Sequence, residues 1–279
     1  MNRIYLIGNG YVCDFITKEP HPSYEFIGVC RSKKNNCDRN ISIDISKDNE
    51  DLGSLIKDKS IVVYLAPPQQ GGIRDLTLEN FLLNINKQNI KKIIYISTSG
   101  VYGDKNDQVV NENAAVCPIT DRAKRRVDAE LQIKKSSLTY TILRVPGIYG
   151  KGRLPLKRIY DKTPLIKKNI CKHTNLINVN DLVRIIINCF NNNRTSGVTM
   201  NVSDGSPIKT TEYYLHIYDF LKLAYPEFIN YEKANKLYDN KRKSFINESR
   251  ILDITLMNQL LPNIIRFKDV REGIKNSLV

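Results

Sequence analysis

Three short segments put chemically useful groups at informative spacings. The first is Gly8-Asn9-Gly10-Tyr11-Val12-Cys13, which follows the apolar run Ile4–Ile7 and opens an amphipathic stretch. Between a strand and a helix, a G-x-G-x-x-G spacing serves a dinucleotide. The first glycine makes the tight turn, the second admits a diphosphate against the backbone, and the helix N-terminus stabilises its charge. Gly8 and Gly10 fill the first two positions, and the small residue Cys13 fills the third, where helix and strand must approach closely. Gly8, Asn9, Gly10, Tyr11 and Val12 are therefore candidate cofactor-binding residues; a glycine-rich β–α turn without a ligand would share the pattern.

The second segment lies past the run Tyr24–Val29. A carboxylate about 20 residues beyond the glycines would hold the ribose 2′-hydroxyl of NAD. Counting from Gly10 reaches Cys30, followed by Arg31, Ser32, Lys33 and Lys34. With no acid and several cations, the segment suits a 2′-phosphate paired with Arg31. It favours NADP(H), with NAD(H) as the alternative; a solvated basic loop would look the same. The third segment, Ser97-Thr98-Ser99-Gly100-Val101-Tyr102-Gly103, follows the strand Lys92–Ile96. Carboxyl ends of central strands face the ligand crevice of an open parallel sheet. Thr98 and Ser99 are placed to hydrogen-bond a substrate oxygen, with Tyr102 the nearest phenol, unless the hydroxyls only cap their own turn.

These segments need a frame, and the pattern predicts one. Apolar runs rich in β-branched residues recur at Ile4–Ile7, Tyr24–Val29, Ile41–Ile43, Ile61–Leu65, Ile93–Ile96 and Tyr140–Leu143. Continuous apolar strands imply burial on both faces, hence a parallel sheet covered by helices. Helical spacing predicts Leu76–Gln88, Asp121–Lys134, Asp181–Phe190 with Asp181 as N-cap, and Thr210–Leu221 capped by Thr210 or Thr211 with Glu212 in its first turn. The expected class is α/β: a Rossmann doubly wound parallel sheet with a smaller C-terminal α/β cap. Denser prolines after residue 150 divide the chain into a dinucleotide-binding region, 1–150, and a substrate-cap region, 151–279, interwoven with it.

At this point a resemblance becomes specific. Ile96 through Gly103, then Asn111-Glu112, Pro118 and Glu130, resembles the extended short-chain dehydrogenase/reductases, the NAD-dependent epimerase/dehydratase family. Leu143-Arg144-Val145-Pro146-Gly147-Ile148-Tyr149-Gly150-Lys151-Gly152-Arg153 is similar to the segment after that family's sixth strand. Asn178 to Leu182, Asn201 to Gly205, Asn240 to Lys243 and Asn247 through Gly273 extend the match over nearly the whole chain. It also resembles an atypical, YeeZ-like branch of NAD(P)-binding proteins. The resemblance implies further cofactor contacts at Asp44, Ala66, Pro67, Pro68, Ser97, Arg126, Pro146, Gly147 and Ile148. It places Thr98 at the family's catalytic Ser/Thr and Tyr102 in a structural turn.

The chain departs from the family at the catalytic Y-x-x-x-K pair. The window Ile119–Arg126 contains no Tyr. If Glu130 sets the register, Arg122 stands for the Tyr and Arg126 for the Lys; if Thr120 stands for the Tyr, Lys124 is retained. The resemblance to the atypical branch, which carries an R-x-x-x-R-x-x-x-E pattern, implies the first. Arginine stays protonated and is a poor acid/base, though it binds phosphate and ribose oxygens well. Two functions follow: an atypical oxidoreductase or epimerase-like enzyme acting on a nucleotide-linked sugar or similar small metabolite, or a non-catalytic dinucleotide-binding scaffold or redox sensor.

Bulk properties narrow the remaining classes. The 43 Lys+Arg against 29 Asp+Glu give a net charge of +14, which attracts polyanions. The cations are dispersed, and the short clusters Arg122–Arg126 and Lys241–Lys243 lack interleaved aromatics, which argues against a nucleic-acid partner. Cysteines 13, 30, 37, 117, 171 and 189 form no CxxC and no zinc spacing, so no metal site is expected and a reducing cytoplasm suits them. Cys13, Cys30 and Cys189 read as small buried hydrophobes. No leader and no membrane-length apolar run is expected. The partners expected are a small-molecule substrate and, through the family's helix packing, a second copy of the chain.

Overall fold

Strands begin where β-branched runs begin and end where glycine, proline or hydroxyl residues interrupt them. The computed structural model describes residues 2–19, 21–32, 34–47, 51–239, 242–243 and 246–279. Lys33, Asn240 and Lys241, cited above, lie outside the described residues. Two compact units interleave along the chain. The first comprises Met1–Val101, Pro118–Arg144 and Val183–Met200, and the second Tyr102–Cys117, Val145–Leu182 and Asn201–Val279.

The first unit contains β1 (Asn2–Ile7), α1 (Tyr11–Ile16), β2 (Tyr24–Cys30), β3 (Arg39–Ser42), α2 (Asp51–Leu55), β4 (Ser60–Tyr64), α3 (Leu76–Asn84), β5 (Ile90–Thr98) and α4 (Asp121–Lys135). In chain order β6 (Tyr140–Val145), α5 (Val179–Asn188) and β7 (Val198–Asn201) follow, most of each in the first unit. Among the described residues, one seven-stranded sheet runs in the order β3-β2-β1-β4-β5-β6-β7. β1 pairs in parallel with β2 and β4, β2 with β3, and β4 with β5. Ile7 stands opposite both Val29 and Tyr64, and Tyr64 opposite Tyr95. That row aligns the carboxyl ends of the central strands, so Gly8, Cys30, Leu65 and Ile96 follow along one edge. Tyr5, Ile7, Ile27, Val62, Tyr64, Phe81, Ile93, Tyr95, Ala129 and Ile142 belong to one buried apolar cluster. The doubly wound α/β class is the one the strand pattern announced.

Several boundaries differ from the sequence reading. The helix expected over Leu76–Gln88 stops at Asn84, and Ile85 turns extended. The Asn86 side chain then accepts from Gln88 N and starts a separate 3-10 turn, the competition that short amides offer to helices. Asp181 is not an N-cap, because the helix begins two residues earlier, at Val179. Its buried carboxylate accepts from Arg266 N (3.0 Å) and Phe267 N (2.9 Å) instead. The helix Thr210–Leu221 is present, yet Lys209 is its N-cap and no side chain caps it. Thr211 Oγ1 donates to Ile166 O at 2.6 Å, so it is spent elsewhere.

The second unit is built from short pairings. Gly147–Tyr149 lies parallel to Leu176–Asn178, Val109–Val110 to Ile251–Leu252, and Leu165–Ile166 to Phe228–Ile229. His173–Thr174 pairs antiparallel with Ile208–Lys209. Tyr149, Ile159, Tyr213, Ile217, Tyr218 and Ile274 belong to one buried apolar cluster. A Cβ at Gly273 would stand 2.0 Å from the Tyr149 hydroxyl, so this helical position requires glycine. No described helix is long and apolar enough to cross a membrane.

Candidate functional site

The glycine turn leaves β1 at Gly8, whose amide still donates to Val29 O at 2.9 Å. Gly8 has φ +93°, and a Cβ there would lie 2.5 Å from Ala66 N and 2.6 Å from Ala66 Cα. Both conformation and packing thus require glycine. Gly10 is different. It is the N-cap of α1 at φ −116°, ψ −159°, which is extended backbone that any residue adopts. A Cβ on it would meet nothing within 4 Å. The protein itself has no use for a glycine there, whereas a diphosphate lying against the backbone does. The turn therefore fits a dinucleotide.

Around it, Val12 and Cys13 are buried, and Tyr11 packs on Phe15 with ring centroids 5.0 Å apart. Asn9 is buried and points inward. Its Nδ2 donates to Asn40 Oδ1 at 3.2 Å, and its Oδ1 accepts from Asn36 Nδ2 at 2.6 Å. Arg31 and Ser32 are exposed past the end of β2. Their carbonyls are held by Ser42 Oγ (3.1 Å) and Cys30 Sγ (2.9 Å). Asp44 accepts from Ser46 N and Ser46 Oγ, which hold its carboxyl below the usual range, with the nearby Arg31 guanidinium adding to the effect. Asp44, just past β3, is thus within electrostatic reach of Arg31. Ala66 is buried behind the turn, and Pro67 and Pro68 continue towards the surface.

The second β–α crossing in the same sheet is densely bonded. Ser97 Oγ donates to Glu130 Oε1 at 2.6 Å, and Arg144 clasps the same carboxylate through Nε (3.1 Å) and Nη2 (2.8 Å). All three side chains are buried. Thr98 is partly exposed, and its Oγ1 accepts from Gly100 N at 3.2 Å, starting the 3-10 turn Ser99–Tyr102. Ser99 is buried inside that turn. Thr120 is the N-cap of α4, accepting from Ala123 N. Arg126, one turn before Glu130 along α4, sends Nη1 to Tyr95 Oη (2.8 Å) and Ile96 O (3.0 Å). Lys124 instead pairs with Asp121 at 3.4 Å.

Beneath Arg126 lies a polar group that the sequence reading missed. Burial pushes the Tyr95 phenol up to about 12, although the guanidinium pulls the other way. Tyr64 Oη and Asp75 Oδ2 are buried without a hydrogen-bond partner, and burial raises both groups' pKa values. Arg125 Nη1 donates to Gly72 O at 2.6 Å, tethering the loop after β4. Tyr64 and Tyr95 looked like ordinary strand apolars; only the charged spacing 122-126-130 hinted that α4 presents cations to the sheet.

The remaining expected residues belong to the second unit. Tyr102 is fully buried and donates to Asn201 Oδ1 at 2.7 Å. Asn201 Nδ2 in turn donates to Val110 O and Asp253 O. Pro146, Gly147 and Ile148 lie at or just before the strand Gly147–Tyr149, with Gly147 exposed.

Solved structures share this fold. A conserved protein of unknown function from Silicibacter pomeroyi is 20% identical, with a TM-score of 0.81 over 100% of this chain and 98% of that one. UDP-glucuronic acid 4-epimerase from Bacillus cereus, solved in complex with NAD, is 16% identical with a TM-score of 0.76, covering 98% and 96% of the two chains. UDP-N-acetylglucosamine 4-epimerase from Methanobrevibacter ruminantium, solved with UDP-N-acetylmuramic acid, is 19% identical with a TM-score of 0.76 over 99% and 98%. No curated protein matches the sequence. The NAD(P)H-binding family model matches residues 32–192, more than half of the 279, and the chain belongs to that family.

Proposed function

We propose that the chain is an NADP(H)-dependent enzyme of the epimerase/dehydratase type, acting on a nucleotide-linked sugar or a similar small metabolite. Gly10 carries the reading: neither its backbone conformation nor its surroundings ask for glycine, and a bound diphosphate would. Gly8 to Val12 hold the diphosphate, and Arg31 and Ser32 hold a 2′-phosphate past the end of β2. Asp44, Ala66, Pro67, Pro68, Ser97, Arg126, Pro146, Gly147 and Ile148 complete the cofactor contacts, and residues 151–279 select the substrate. A bound nicotinamide supplies hydride transfer. Thr98, partly exposed on the carboxyl edge, positions the substrate oxygen, with Ser99 and Tyr102 shaping its turn.

One observation favours a second reading, a dinucleotide-binding scaffold or sensor without turnover. Ser97 Oγ bonds Glu130, and Arg126 Nη1 bonds Tyr95 and Ile96, which leaves these two side chains less to offer a ligand. Two measurements separate the readings. Calorimetric titration should show NADPH binding more tightly than NADH, and Arg31→Ala should weaken NADPH about tenfold to a hundredfold, as loss of a charge-assisted contact does, leaving NADH unchanged. NADPH absorbance is then followed against UDP-sugars and small carbonyl compounds. Turnover lost in Thr98→Ala, with NADPH affinity intact, supports the enzyme. Tight NADPH binding with no turnover across the panel supports the scaffold.

A further inference from the structure

Strand β2 contains a glycine whose missing side chain is used by three others. A Cβ at Gly28 would meet Asn9 Nδ2 at 2.7 Å, Cys37 Sγ at 2.7 Å and Asn40 Oδ1 at 2.9 Å. The slot over Gly28 lets the loop between β2 and β3 settle against the glycine turn. There Cys37 Sγ lies 3.8 Å from Cys13 Sγ, although the residues are 24 positions apart. Cys13 is fully buried in α1, and Cys37 is partly exposed. Asn36 ties the same loop down, donating through Nδ2 to Asn9 Oδ1 (2.6 Å) and Asp14 Oδ1 (2.5 Å).

We infer that Cys13 and Cys37 are a redox-active dithiol that a hydroperoxide closes to a disulfide, locking the loop after β2 onto the helix of the dinucleotide turn. The two sulfurs need only move from 3.8 Å to a bond of roughly 2.05 Å. Among the described residues no group of three or more His, Cys, Asp or Glu is placed to hold a metal ion. The thiols divide the chemistry between them. The contact between the two sulfurs holds the Cys37 thiol below its ordinary value, and the same contact together with burial raises that of Cys13. The partly exposed, more acidic sulfur is the one that attacks an oxidant.

The reaction balances in two steps. Cys37 thiolate attacks the peroxide O–O bond and takes one oxygen to become a sulfenic acid, releasing an alcohol, or water from hydrogen peroxide, after protonation. Cys13 sulfur then attacks the sulfenic sulfur, the S–S bond forms, and water leaves with the Cys13 proton. Two thiols are oxidised by two electrons, and one peroxide is reduced. The loop so captured also carries Arg31 and Ser32, and the Asn9–Asn36 contacts beside the turn must rearrange. Building on the dinucleotide reading above, the disulfide form therefore binds NADPH more weakly.

The test uses the whole reduced protein treated with hydrogen peroxide, blocked with N-ethylmaleimide, digested and mapped by mass spectrometry. A Cys13–Cys37 linked peptide that disappears with phosphine reductant is expected. Cys37→Ser should abolish the linkage, and Cys13→Ala should leave a Cys37 sulfenic acid that dimedone traps. The exposed Cys117 should react without joining this pair. Cys37 oxidised without linkage to Cys13 overturns the dithiol. NADPH titration of both forms then reads the consequence: at least fivefold weaker binding when oxidised, restored by reductant and absent in Cys37→Ser. Equal affinity overturns the regulatory role. A linkage formed in a protein that binds NADPH in neither form supports the dithiol and refutes the dinucleotide reading instead.

Discussion

The glycine turn and the Ser97–Arg126 crossing stand at the carboxyl end of the same sheet and dispose of their polar and small residues in opposite ways. At the turn, Gly10 is left bare where the fold would accept a side chain. At the crossing, hydroxyl, carboxylate and guanidinium groups are consumed in bonds to one another. The turn leaves a position the fold does not fill, and the crossing spends Ser97, Glu130, Arg144 and Arg126 on bonds within the protein. On the proposed reading, a dinucleotide at the turn would rest on backbone and open space, whereas Arg126 at the crossing bonds Tyr95 and Ile96.

The largest effect should come from cutting the frame. Glu130→Ala removes the carboxylate that buried Arg144 and Ser97 both bond. Removing one member of a buried ion pair leaves an uncompensated charge and costs about 3–5 kcal/mol. A urea melt should show the loss as a lower midpoint with an unchanged slope. A midpoint shift equivalent to under about 1 kcal/mol would mean that the crossing is no more committed than an exposed pair.

Gly10→Val probes the other side of the comparison. With nothing within 4 Å of the new Cβ, the melting temperature should hold. NADPH affinity should fall at least about a hundredfold, ~2.8 kcal/mol. Gly8→Val is its internal contrast, because its φ of +93° and the Ala66 backbone 2.5 Å away make that variant lose stability as well as binding. Unchanged NADPH affinity in Gly10→Val would remove the central assignment.

The sequence made the frame legible because parallel strands buried on both faces are continuous apolar runs, and each such run in the first 150 residues became a strand of the sheet. Boundaries were less legible where polar residues could bond in more than one way. Asp181 has the composition of a cap but accepts from Arg266 and Phe267, 85 and 86 positions later. The glycine turn was readable because its signal is local. The bonds of the crossing were not, because Arg126 meets Tyr95 at a separation of 31, and Ser97 meets Glu130 at 33. Cys37 joined no motif in the sequence, and only the slot over Gly28 brings it to Cys13.

Asp75 tests how complete the commitment of the crossing is, and the effect should be the smallest. Its Oδ1 caps α3 by accepting from Leu78 N at 3.0 Å, while Oδ2 is buried without a partner beside Tyr64 and Arg126. Burial raises its pKa, and the neighbouring guanidiniums only partly oppose this. Well below the unfolded value, near 3.9, both states hold the proton and pH changes nothing at this site. As pH rises between the unfolded and folded values, the unfolded chain releases a proton that the native protein keeps, so stability falls with pH. Above the folded value the loss is complete. Asp75→Asn preserves the capping oxygen and removes the titration. It should melt higher than the wild type at pH 8 by about 1 kcal/mol, the order of an unsatisfied buried oxygen, and the difference should shrink towards pH 4. A difference that stays constant with pH would assign the effect to packing, and a destabilised Asn variant would show that the carboxylate is held by the cations around it, making the crossing as fully satisfied at Asp75 as it is at Glu130.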